Sequence, residues 1–87
     1  MKYRGTVTSV ESLGRMVQQG RLLNHLTQRE LAARLGISQR YVWEVEAGKP
    51  TKHTERLFAM FRATGVTLIA EIEAPDGSDE PGSVDRG

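Results

Sequence analysis

Within residues 39–44 stand Gln39, Arg40, Trp43 and Glu44, and just beyond them Lys49, Thr51 and Lys52. Glutamine and arginine make paired hydrogen bonds to adenine and guanine in the DNA major groove. Lysine and threonine suit phosphate, which positions a duplex without specifying its sequence. Catalytic chemistry is poorly supplied by comparison. There is no cysteine, and His25 and His53 stand in separate turns without metal-ligand spacing. Glu44 and Glu46 are two apart on a helix and point different ways, so they cannot act as a paired acid and base. No glycine-rich phosphate loop occurs. No enzymatic activity, cofactor or metal is expected.

The elements that must position these residues are marked by their caps. Ser9 is a candidate N-cap, with Glu11 in the first turn of a helix expected over about 10–24. Leu13, Met16, Val17, Gly20 and Leu23 follow its spacing. Asn24 or His25 must turn the chain, and asparagine tolerates the left-handed conformation better. Thr27 and Glu30 form a capping box ahead of Leu31, Ala32 and Leu35. Gly36 closes that helix, and Ser38 opens the next. Val42 and Val45 face inward on it, which leaves Gln39, Arg40, Trp43 and Glu44 outward. Ile37 is expected to fold back as a core plug. Gly48 and Pro50 end this helix, so 26–48 reads as a helix, a tight glycine turn and a helix. A fourth helix is expected over roughly 54–64, stopped by Gly65.

Residues 66–73 then alternate, with Val66, Leu68, Ala70 and Ile72 on one face. A lone strand cannot satisfy its backbone. The nearest partners are the extended segment near 3–8 or the same strand of a second copy. The expectation adopted is the second copy, with Val66, Leu68, Ala70 and Ile72 as the dimerisation residues of a two-fold dimer.

Eighty-seven residues allow one domain with a marginal core. Residues 1–73 hold eleven Lys or Arg against seven Asp or Glu, whereas 74–87 hold Arg86 against Asp76, Asp79, Glu80 and Asp85. A basic body with an acidic tail suits a polyanion-binding body, and the Pro/Gly/Asp/Ser-rich tail is expected to be disordered. No apolar run spans a membrane and the N-terminus is no secretory signal, so a soluble cytoplasmic protein is expected. The expected divisions are an extended segment (1–8), a DNA-binding domain (9–65), a dimerisation strand (66–73) and the tail (74–87).

The stretch "SLGRMVQQGRLLNHLTQRELAARLGISQRYVWEVEAGKP" resembles the Xre/lambda-repressor class of helix-turn-helix proteins. The "LG" opening, the Arg six residues before "TQ", the "EAGKP" exit and the terminal strand resemble the HipB-like antitoxins. The resemblance covers about residues 9–73. It implies a mainly α fold: a four-to-five-helix, lambda-repressor-like domain with a C-terminal strand pairing across a dimer. It implies a repressor of a palindromic operator in double-stranded DNA, paired with a HipA-type kinase toxin in a type II toxin-antitoxin module that regulates its own operon. A stand-alone or phage-type repressor, or a protein-binding adaptor on the same scaffold, are the alternatives. Carried over by residue, Gln28 clamps a phosphate and braces the start of the recognition helix, and Arg21 pairs with Glu46. Base contacts fall to Ser38, Gln39, Arg40, Trp43 and Glu44, and phosphate contacts to Gln28, Lys49, Thr51 and Lys52. Two positions depart from the pattern: His25 stands where glycine is usual, and Trp43 where a small or polar residue is usual. Trp43 could pack a thymine methyl or a sugar, be covered by a dimer partner or toxin, or close the edge of the core.

Overall fold

The computed structural model describes residues 1–75. The elements run β1 (Lys2–Val7), α1 (Val10–Leu23), α2 (Gln28–Leu35), α3 (Gln39–Glu46), α4 (Lys52–Thr64) and β2 (Leu68–Glu73).

Every helix begins at a hydroxyl that accepts the backbone N–H three residues on. Ser9 takes that of Ser12 at 3.1 Å, and Thr27 that of Glu30 at 3.0 Å. Ser38 takes that of Tyr41 at 3.0 Å, and Thr51 that of Thr54 at 3.1 Å. Each bond satisfies a donor that helical geometry leaves open. The Glu30 carboxylate returns the bond by accepting from Thr27 N–H at 2.8 Å, which holds its pKa below the ordinary value. The Thr51 cap starts α4 two residues before the expected 54, so Lys52 and His53 belong to its first turn. Apolar spacing could not show this, because the first turn is polar.

The turn between α1 and α2 is carried by His25, at φ 58°, while Asn24 stays at φ −97°. Left-handed backbone costs a residue with a Cβ about 1–2 kcal/mol. Gly36 meets the same demand after α2, at φ 68°, without that cost. His25→Gly is therefore expected to raise stability by up to about 1 kcal/mol, after the added freedom of the unfolded chain is counted. Urea denaturation checks this, and a lower midpoint would contradict it.

β2 pairs antiparallel with β1 of the same chain. The expected need for a second copy is thereby corrected: the segment near the N-terminus is the partner. Lys2 stands opposite Glu73 and Arg4 opposite Glu71, while Val7, Gly5 and Tyr3 oppose Leu68, Ala70 and Ile72. Opposite charges on one face and apolar groups on the other fix the register, since a slip of one residue would exchange the faces. Ala74 extends the ladder, its N–H donating to the Met1 carbonyl at 2.8 Å, and it is buried. The folded unit thus reaches one residue past the expected boundary at Glu73. Beyond Pro75 the expected tail lies outside the described residues.

The sheet lies along α1. Leu68, Ala70 and Ile72 are the half-buried positions of β2, and Ile72 lines a hollow with Met16 and Leu23 of α1. Ile72, one of the four expected dimerisation side chains, therefore serves this internal contact, while Val66 precedes the strand. Among the described residues the buried apolar side chains are Val7, Ala32, Val42, Phe58 and Ala74. Ile37 is 38 % exposed, so it covers the edge of the core instead of plugging it. Among the described residues no helix is long and apolar enough to cross a membrane.

Candidate nucleic-acid interface

Three helices are tied together at Glu46, on the last turn of α3. Its Oε2 accepts from Arg21 Nε at 2.6 Å, and its Oε1 accepts from Arg21 Nη2 at 3.0 Å. The same Oε1 accepts from Gln28 Nε2 at 3.0 Å. Arg21 Nη1 donates to the Leu26 carbonyl at 2.9 Å, so one guanidinium holds α3 and the turn before α2 together. The Arg21 and Glu46 side chains are only 9 % and 3 % exposed. Hydrogen bonding from Arg21 is the main cause that keeps the Glu46 carboxylate below its ordinary pKa, against the opposing effect of burial. The same bond raises Arg21. The ion pair implied by resemblance is present, and it has a third member in Gln28.

That junction sets the angle between α1 and α3 at close range. A Cβ on Gly14 of α1 would collide with the Val45 carbonyl oxygen and lie 2.8 Å from that of Glu46. The helices can meet at this distance only because position 14 has no side chain.

α3 then presents its free side outward. Val42 and Glu46 are buried and Val45 is half-buried, which leaves Gln39, Arg40 and Trp43 exposed and Glu44 partly so. Arg40 Nε and Glu44 Oε2 form an i,i+4 ion pair at 3.3 Å in the middle of this face. Gln39 and Trp43 stand one turn apart beside it. Gln39 shares an open depression with Arg21, Thr27, Gln28 and Arg29, so the starts of α2 and α3 border one concave surface. Lys49 stands after α3, with its Nζ 5.2 Å from the centroid of the Trp43 ring, within cation–π range.

The structure thus brings Gln28 beside Gln39, Arg40 onto Glu44 and Lys49 over Trp43. Gln39, Arg40, Trp43, Lys49 and Lys52 are exposed. Gln28 has one amide hydrogen committed to Glu46. The hydroxyls of Ser38 and Thr51 accept helix-capping bonds, which places their contributions chiefly in the backbone they order. Sequence reasoning missed Arg29, an exposed cation in the first turn of α2 beside Gln28. Its position directly after Gln28 was the available signal. The Lys49–Trp43 contact was also missed, because six residues and a turn separate the two.

No curated protein and no solved structure matches the chain. A helix-turn-helix family model matches residues 17–70, more than half of the sequence and the whole of α2, α3 and α4. With the cap-turn-cap geometry of 27–38 and the polar outer face of α3, that match places the chain in the helix-turn-helix family of DNA-binding transcription regulators.

Proposed function

We propose that this regulator is a sequence-specific repressor that reads a palindromic operator as a homodimer. The observation that carries the reading is the outward face of α3. It offers Gln39 and Arg40 in the first turn and Trp43 and Glu44 in the second, on a helix held at its far end by Arg21, Gln28 and Glu46. In this reading α3 enters the major groove and its side chains meet base edges. The starts of α2 and α4, with Gln28, Thr51, Lys49 and Lys52, meet the flanking phosphates.

Arg40→Ala is expected to relax preference at one base position by about 1–3 kcal/mol. Lys49→Ala is expected to weaken binding to all duplexes alike. Selection from a random duplex pool with each variant checks this. The reverse pattern would show that another part of the surface reads the bases.

The dimer is supported by what the single chain leaves uncovered. Leu57 and Met60 of α4, Val66, and Ile69 on the outer face of β2 are all exposed. A second copy would cover such groups, with 66–73 at or beside the contact, and would set two recognition helices about 34 Å apart along the duplex. Sedimentation is expected to show a dimer at micromolar concentration, weakened by Met60→Glu with Ile69→Glu. A monomer for the unaltered protein would contradict it.

The antitoxin role, with a HipA-type kinase as second partner, rests on the sequence resemblance over 9–73. Co-purification with the product of the adjoining reading frame tests it. Capture of no such protein favours the stand-alone repressor.

A further inference from the structure

Trp43 is the anomaly of the outer face: the sole tryptophan of the chain, 48 % exposed, among polar side chains. It is not needed to close the core, because Val42 and Val45 fill that side of α3. It lies one turn beyond Gln39, a residue placed to meet a base edge. An apolar ring gains by meeting an apolar group, and in the major groove of unmodified DNA the bases offer one, the C5-methyl of thymine. Lys49 decides how the ring is used. Its ammonium stands over the indole, so that part of the ring is occupied by a cation. The rest of its exposed surface remains for the methyl. The cation also restrains the indole before DNA arrives, which lowers the ordering cost of the contact.

We infer that Trp43, positioned by Lys49, reads a C5-methyl group in the major groove. The inference rests on the DNA-binding reading above and adds to it a defined chemical feature of the operator. The group recognised is the methyl and not the remainder of the base. At the same position 5-methylcytosine is therefore preferred over cytosine by the same factor as thymine over uracil. Cytosine methylation there would tighten the complex.

The test uses the full chain and the duplex enriched from a random pool. Each thymine is replaced in turn by uracil, which removes the methyl and leaves base pairing intact. One position in each half-site is expected to lose about fourfold in affinity, the worth of one buried carbon group. In Trp43→Ala that difference should vanish, while the other positions keep their preferences. The residue is half-exposed, so the variant folds, and circular dichroism confirms it. Lys49→Ala should shrink the thymine–uracil ratio as well as weaken binding overall. Tryptophan emission of the unaltered protein should change on binding the thymine duplex more than on binding its uracil counterpart. Equal affinity for thymine and uracil at every position overturns the inference, and so does a uracil effect that persists in Trp43→Ala. A full ratio in Lys49→Ala overturns the part assigned to the lysine. Failure to enrich any duplex would overturn the DNA reading itself, a result distinct from these.

Discussion

Glu46→Ala is expected to destabilise the fold by about 3–5 kcal/mol. Among the described residues the carboxylate is the one charged partner of Arg21, and both side chains are almost wholly buried. Removing it leaves a guanidinium enclosed without a counter-charge, and it releases Gln28 as well. A domain of this size has about 5–15 kcal/mol of stability in total, so the variant should stand near its unfolding threshold. Glu46→Gln keeps a hydrogen-bond acceptor and should cost less. The pH dependence carries the same signature. The folded pKa of Glu46 is depressed, so its contribution is complete above the unfolded value of about 4.3 and is lost as pH falls through that value toward the folded one. Glu30 is depressed too and titrates in the same direction. Urea midpoints measured from pH 7 down to pH 3 should show an acid limb in the unaltered protein that is shallower in Glu46→Ala. Equal midpoints for the two proteins at pH 7 would show that the pair holds nothing together.

Gly14→Ala is the second large effect, expected at about 1–3 kcal/mol or more. The added methyl meets backbone, the Val45 and Glu46 carbonyls, and not the movable end of a side chain. Relief requires α1 and α3 to separate, which also stretches the Arg21–Glu46 contact. Alanine favours a helix over glycine by about 1 kcal/mol, so a variant as stable as the parent would put the cost of parting the helices at only about 1 kcal/mol. Thermal unfolding measures the loss. Weakened DNA binding should accompany it, because the displaced helix is the one that carries Gln39 and Arg40.

The helical part of the fold is legible in the sequence because its signals are local. Ser9, Thr27 and Ser38 cap helices within three residues of themselves, and Gly36 supplies a backbone angle that other residues avoid. The sheet was harder to read. Residues 2–7 alternate only weakly, with Gly5 at a position where α1 leaves little space: a Cβ there would lie 3.3 Å from Met16 Sδ. The usable signal was charge at period two, Lys2 and Arg4 against Glu73 and Glu71, which matches these strands to each other. The outer face of α3 follows from helical periodicity alone. The anchoring of Gln28 and the placing of Lys49 on Trp43 do not, because both depend on how separate elements pack.

DNA reading by α3 is tested most directly by a salt titration of the unaltered protein on its selected duplex and on a scrambled duplex of equal length. Lys49 and Lys52 of two protomers would neutralise about four phosphates, giving a slope of log affinity against log salt of about −3.6. The selected site should be preferred by at least about 10³-fold at physiological salt. Lys49→Ala should flatten the slope by about two, one for each protomer. Equal affinity for both duplexes, or a slope near zero, would contradict the assignment of α3 and its flanking lysines as a surface that reads DNA.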